Sequence, residues 1–173
     1  PEERLRLTEA AHDAMRGTTQ PWARKCLAAR TVELVGSVNV GEDEVAMAKM
    51  LAVYDIAVIP QKAVGPYNID LAIDPIAVEI YSGGWHGTGR HAARSAERFG
   101  YILNQGWTVV VVWCDGRKCP IDVGAADYVA ALVEFACRNP SVLGEYRVIR
   151  CDGYEVTRGR DDLDQLTRVP SFN

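Results

Sequence analysis

The chain has 173 residues, of which 48% are hydrophobic and 24% charged, so it is long enough to form one domain around a buried core. Its longest apolar run, residues 107–113, is far shorter than the roughly 20 residues that span a bilayer, so no transmembrane helix is predicted. The formal net charge of −4, taken as one number, argues against a nucleic-acid partner.

The charge is distributed unevenly along the chain. Residues 1–30 carry +2, residues 31–85 carry −6, residues 86–119 carry +3 and residues 120–173 carry −3, which together give −4. An acidic stretch between two basic ones indicates either chance patterning on a solvated surface or a carboxylate site for a metal ion beside groups that bind phosphate.

The first third of the chain predicts helices followed by a short strand. Residues 1–33 are polar and predict a peripheral helical arm. Residues 41–54 predict an amphipathic helix with carboxylates in its first turn, where the helix dipole favours them. Residues 56–59 predict a short strand that ends at Pro60. The apolar residues of the amphipathic helix form one stripe: Val45, Ala48, Leu51 and Ala52.

Residues 67–73 and 76–81 predict a β-hairpin with Asp74-Pro75 as its two-residue loop. This register places Asp70 directly opposite Glu79, where two like charges in apolar surroundings are costly unless they are neutralised. Mg²⁺ held by one or two carboxylates is one solution. A register slipped by one residue, or the pairing of one acid with an arginine, is the alternative.

The second half of the chain predicts alternating helices and strands. Residues 90–105 predict a helix ended by Gly106, residues 107–113 a buried central strand, residues 122–138 a second helix and residues 145–151 a last strand. The order predicts an α/β fold with a mixed sheet. The predicted parts are the arm at 1–33, a core at 34–151 and a charged, irregular tail at 152–173.

The five cysteines are odd in number and lack a tight framework, which predicts reduced thiols in a cytoplasm. Cys114 and Cys119 lie close in sequence, but a zinc ribbon needs a second such pair. Cys137 and Cys151 lie in apolar surroundings and are predicted to be core residues.

Basic and histidine side chains follow the hairpin. Arg90, Arg94 and Arg98 recur at i, i+4 and i+8, a spacing that suits either a run of backbone phosphates or ion pairs with acidic neighbours. His86 follows a glycine-rich turn and is interpreted as a metal ligand, a general base or acid, or a capping residue. His91 is interpreted as a surface residue or a phosphate contact.

Four segments together carry a family resemblance: Gln61 to Ile73, Ala77-Val78-Glu79-Ile80, Gly83-Gly84-Trp85-His86, and Gly106-Trp107 after the arginine-rich helix. They resemble the nuclease core of phage-encoded EDxHD homing endonucleases, which are similar to the very-short-patch mismatch repair (Vsr-like) endonucleases of the PD-(D/E)xK superfamily. The likeness covers about residues 37–115.

The resemblance implies a PD-(D/E)xK nuclease-like mixed sheet flanked by helices and a metal-dependent endonuclease that hydrolyses double-stranded DNA. The implied cofactor is Mg²⁺ or Mn²⁺, and the implied setting is the cytoplasm of a bacterial host. The implied catalytic residues are Glu44 on the first core helix, Asp70, Glu79, His86 and Glu97. Metal ligation is assigned to Asp70, Glu79 and the backbone carbonyl of Ile80.

The superfamily's lysine, two residues after the second acid, is Tyr81 here, so Lys62 or His86 is expected to supply its charge. DNA contacts are assigned to seven residues: Gln61, Lys62, Trp85, Arg90, His91, Arg94 and Arg98. A repair or restriction nuclease, or a DNA-binding module with an inactive core, is the alternative. A homodimer is expected if both strands are cut. A nucleotide-binding fold is disfavoured because neither glycine-rich phosphate loop is present.

Overall fold

The computed structural model describes residues 20–36, 40–82, 89–115 and 119–171, except the side chains of residues 90, 91 and 142. The helices are α1 (Pro21–Val35), α2 (Glu42–Ala52), α3 (Gly89–Asn104) and α4 (Val123–Arg138), and short 3₁₀ turns cover Pro140–Val142 and Leu163–Thr167. The strands are β1 (Ile59–Val64), β2 (Tyr67–Ile73), β3 (Ile76–Ser82), β4 (Thr108–Cys114), β5 (Tyr146–Arg150) and β6 (Glu155–Gly159). Within these residues, no helix has the length and apolar character to cross a membrane.

The six strands form one mixed sheet in chain order, β1 to β6. The central pairs β3–β4 and β4–β5 are parallel and are connected through α3 and α4, whereas the outer pairs are antiparallel. The predicted α/β fold with a mixed sheet flanked by helices is therefore confirmed.

The core has two layers, one on each face of the sheet. One layer packs α2 and α4 on the sheet, and the other packs α3 and the turn at Leu163–Thr167. Because both faces are covered, every residue of β4 is buried, as the apolar run predicted. The predicted central strand is confirmed.

The inward face of the amphipathic helix α2 overlaps the predicted stripe only in part, since Leu51 and Ala48 pack in the core as predicted but Val45 and Ala52 are exposed. Met47 and Leu51 are completely buried, whereas Val45 is 42% exposed. Glu44 shares the face of these two residues, because positions three and seven apart lie on the same side of a helix. The packing of Met47 and Leu51 therefore turns Glu44 towards the sheet.

Strand β1 includes Pro60, so the predicted strand at residues 56–59 that ends there is wrong. Proline is tolerated because β1 lies at the edge of the sheet, where one row of N–H groups needs no strand partner. Helix α1 packs on β1 and β2, and it runs through position 33. The division into arm, core and tail remains a prediction.

The predicted irregular tail is also corrected. Strand β6 pairs antiparallel with β5, and Leu166 in the following 3₁₀ turn is completely buried against the α3 layer. The sequence did not predict this strand because only alternate residues of β6 are half-buried. With charged residues among its five positions, no alternation of apolar and polar residues is visible.

Cys119 and Cys151 form a disulfide, which contradicts the prediction of reduced thiols. Strands β4 and β5 are parallel neighbours, so the segment after β4 and the end of β5 meet at the same edge of the sheet. Cys114 is a buried free thiol. Cys137 is exposed, and its prediction as a core residue is wrong because the buried stripe of α4 ends at its neighbour Ala136.

We predict that Gly153→Ala destabilises the fold by about 3 kcal/mol, because a methyl group there would lie 2.1 Å from the carbonyl oxygen of Gly124 and φ is +82°. Gly144→Ala is the matched control. Its φ of +76° is similar, but nothing lies within 4 Å, so a loss of about 1 kcal/mol is expected. Urea unfolding measures both, and equal losses would contradict the close contact.

Candidate active site

The hairpin has the predicted register. Ile73 pairs with Ile76, Ala72 with Ala77 and Leu71 with Val78, and the Asp74-Pro75 peptide bond in the loop is cis. One step beyond Leu71, the N–H of Ile80 donates to Asp70 Oδ2 at 2.9 Å. The Asp70 carboxylate therefore lies between β2 and β3, at the point where the backbone pairing of these strands ends. In the same register, Asp70 lies opposite Glu79.

Glu79 is completely buried and is paired with an arginine, the alternative left open by the sequence. Arg98 Nη2 donates to Glu79 Oε1 at 2.8 Å, and Nη1 lies 2.7 Å from Oε2. The Nη1 contact is an ion pair without an aligned hydrogen bond, so Oε2 keeps unused acceptor capacity. Arg98 Nη2 also donates to the carbonyl oxygen of Asn68.

Arg98 is therefore not the phosphate contact that its spacing from Arg94 predicted. It lies on the inward stripe of α3 with Phe99 and Ile102, which are completely buried, and its side chain is only 20% exposed. Arg94 is exposed and remains available to a ligand. The stripe of buried residues around Arg98 is the sequence signal that identifies it as an internal arginine.

Glu44 is held at the N-terminal end of α2. Its Oε1 accepts from the N–H of Gly41 and its Oε2 accepts from Gln61 Nε2, both at 3.1 Å. The half-buried Gln61 side chain thus has a partner inside the protein, and its predicted DNA contact stays a prediction. These two bonds fix the orientation of the Glu44 carboxylate.

The three carboxylates form one electrostatic group, the acid cluster of Glu44, Asp70 and Glu79. Burial and then the charge of Asp70 raise the pKa of Glu44. Burial also raises the pKa of Asp70, although Arg98 and the Ile80 N–H oppose this effect. Burial raises the pKa of Glu79, Arg98 opposes this effect, and the Asp70 charge adds to it. Among the described residues, Arg98 is the cation that acts on all three acids, so these residues alone give the ionised cluster an excess of negative charge.

This donor set suits a hard divalent cation, which prefers carboxylate and carbonyl oxygens and would offset the excess charge. Within the described residues, no three His, Cys, Asp or Glu side chains form a ready-made cation site. Glu79 is also occupied by Arg98. Asp70 and Glu44 are therefore the carboxylates of the cluster that Arg98 leaves for an ion, which oxygens of a ligand would have to complete.

Other predicted site residues contact side chains of the protein itself or lie outside the described residues. Lys62 Nζ contacts Glu33 Oε1 at 3.1 Å, and Glu97, which is exposed, accepts a long 3.5 Å bond from Tyr67. Trp85 and His86 lie outside the described residues, as do the side chains of Arg90 and His91. The carbonyl of Ile80 remains a predicted ligand.

Tyr81, at the position of the superfamily's lysine, is buried on the α3 side of the sheet. Its hydroxyl is hydrogen-bonded to Ser95 Oγ at 2.8 Å and its ring packs edge-on against Trp113. Burial raises the pKa of Tyr81 to about 12, so it carries no charge at neutral pH. Arg98, missed for this role by sequence reasoning, is the cation beside the acids.

No protein-family model, curated protein or solved structure significantly matches this chain.

We predict that Arg98→Met destabilises the fold by about 3 kcal/mol at pH 7, because it leaves Glu79 buried without its counter-charge. Adding Glu79→Gln should recover most of the loss, since the pair is then neutral. Arg94→Met on the exposed side of the same helix should change stability by less than about 0.5 kcal/mol. Denaturant unfolding of the four proteins measures this, and equal effects at Arg94 and Arg98 would contradict the ion pair.

We further predict that the metal-free protein becomes less stable as the pH rises above the ordinary carboxyl values of 3.8 for Asp and 4.5 for Glu. The folded chain, with raised pKa values, then binds more protons than the unfolded chain, so the free energy of unfolding falls with pH.

Asp70→Asn removes one charge and keeps an acceptor for the Ile80 N–H. We expect it to raise stability at pH 8 by about 0.5–1 kcal/mol and to flatten this pH dependence. The same substitution at exposed Asp74 should do neither. A wild-type protein whose stability rises steadily from pH 5 to pH 8 would contradict the repulsion within the acid cluster.

Proposed function

We propose that this protein is a Mg²⁺-dependent DNA endonuclease that hydrolyses phosphodiester bonds, of the homing-endonuclease type that its motifs resemble. The observation that carries the proposal is the convergence of Glu44, Asp70 and Glu79 from one helix and two strands. Buried acids with raised pKa values are typical of functional sites. Asp70 and Glu79 lie in segments that carry the resemblance, and Glu44 lies on the helix before them.

In the proposed site, Asp70 and Glu44 would hold the cation, together with the backbone carbonyl of Ile80. Bound Mg²⁺ supplies charge neutralisation at the scissile phosphate and activation of water. The Ile80 N–H fixes Oδ2 of Asp70, which directs the carboxylate. Glu79 in β3 binds Arg98, which also donates to the backbone of Asn68 in β2, so this ion pair holds β2 and β3 together beside the cluster.

The proton-transfer role stays with His86, on the resemblance alone. A proton donor or acceptor near neutral pH suits hydrolysis of a phosphodiester. The expected phosphate contacts are Arg94, together with Arg90 and His91 at the start of α3 and Trp85 before it. Lys62 joins them only if it leaves Glu33.

Charge distribution supports an anionic ligand that arrives with a cation. The acidic residues concentrate at 31–85, the segment that contains the whole acid cluster, and the basic residues follow at 86–119. A polyanion is repelled by the first segment and attracted by the second. Weak binding in the absence of a divalent cation is therefore expected.

A Vsr-like repair or restriction endonuclease uses the same residues on a different target, and a preference for mismatched DNA would favour repair. A double-strand cut would favour a homodimer, which brings two sites to one duplex. A DNA-binding module with an inactive core is disfavoured by the retained acids.

The test is cleavage of supercoiled plasmid with Mg²⁺ or Mn²⁺ and with EDTA. We expect the wild type to cleave only with the metal. Asp70→Asn should lower the cleavage rate by more than the roughly 10–100-fold that is typical when a residue supporting a metal ligand is removed. Asp74→Asn, in the exposed hairpin turn, is the control and should retain full activity. Equal cleavage by wild type and Asp70→Asn would overturn the site, and no cleavage with either metal would favour the inactive core.

A further inference from the structure

The side chain of Asn68 in β2 connects helix α1 to strand β1. Its Nδ2 group donates to the carbonyl oxygen of Ala29 in α1 and to the carbonyl oxygen of Gln61 in β1, each at 2.8 Å. Both hydrogens of the amide are therefore used. The backbone carbonyl of the same residue accepts from Arg98.

Gln61 has an unusual backbone, with φ of +52° in the left-handed region. Such a conformation is uncommon outside glycine and persists where the surroundings fix it. In the β1–β2 register, Pro60 pairs with Leu71 and Lys62 with Ile69, so Gln61 occupies the row of Asp70. The strained residue therefore lies directly beside the acid cluster.

The strained backbone of Gln61 and the contact of its side chain with Glu44 both bear on the orientation of Glu44. The Asn68 amide holds the Gln61 carbonyl, and the Gln61 side chain in turn donates to Glu44 Oε2 at 3.1 Å. A chain of two hydrogen bonds thus runs from β2 through β1 to α2. Neither residue needs to contact a ligand to influence Glu44.

We propose that Asn68 is a positioning residue that orients Glu44 through Gln61. Asn68 fixes the left-handed backbone of Gln61, which aims the Gln61 amide at the Glu44 carboxylate. The effect on cleavage rests on the proposed function, but the effect on Glu44 itself does not.

A neighbouring contact provides a matched control. Glu33 in α1 accepts from Lys62 Nζ at 3.1 Å and from the N–H of Ala63 at 3.2 Å. Glu33→Gln weakens the same α1–β1 interface without touching Asn68 or Gln61. It separates general loosening of α1 from loss of the specific chain of bonds.

The experiment is ¹³C NMR of the Glu44 side-chain carboxyl, assigned through Glu44→Gln, in the metal-free full chain at one pH. We expect Asn68→Ala and Gln61→Met each to shift the Glu44 resonance in the same direction. The double variant should shift it no further than Gln61→Met alone, because both substitutions break one pathway. Glu33→Gln should leave it in place. The unchanged amide spectrum of the sheet verifies folding, and Asn68→Ser, which keeps a single donor, replaces Asn68→Ala if that spectrum collapses.

An unmoved Glu44 resonance in Asn68→Ala, additive shifts in the double variant, or an equal shift in Glu33→Gln would each overturn the inference. If the wild type cleaves DNA, Asn68→Ala should lower kcat about 10-fold with little change in KM, as loss of an outer-shell partner does. If the wild type does not cleave, the proposed function fails, while the NMR result still decides the role of Asn68.

Discussion

The arrangement of the candidate site depends on the buried ion pair between Glu79 and Arg98. A carboxylate with no exposed surface requires a counter-charge, and Arg98 supplies it from α3 with contacts to both oxygens. The same guanidinium reaches the backbone of β2 at Asn68, so one side chain joins α3, β3 and β2. Removing either partner would expose the other to the full cost of burial.

Arg98 pairs with Glu79, and Glu44 and Asp70 are the two other acids of the cluster. Glu44 and Asp70 lie near enough to raise the pKa of Glu44, and each is held by hydrogen bonds that fix its direction. A fold that gathers like charges in this way loses stability unless a ligand compensates them. The proposed cation site would account for the strong local acidity of residues 31–85.

Much of the fold was predictable because local pattern and tertiary environment agree. The two-residue Asp74-Pro75 loop fixes the hairpin register, and this register alone places Asp70 in the row of Glu79. The sequence left open that an arginine pairs with one of the acids, but it did not single out Arg98. The i, i+4, i+8 spacing treats every arginine of α3 as equivalent, although Arg98 lies beside buried residues. Asn68 and the Cys119–Cys151 disulfide depend on contacts between elements distant in sequence, which no local pattern encodes.

Anomalous diffraction from crystals soaked in Mn²⁺ tests whether the acid cluster binds a divalent cation. We expect one strong anomalous peak within coordination distance of Asp70, with Glu44 as a direct or water-mediated ligand and Glu79 still paired with Arg98. The peak should disappear in Asp70→Asn. The absence of a peak at Asp70 in the wild type, with the Glu79–Arg98 pair intact, would contradict the account.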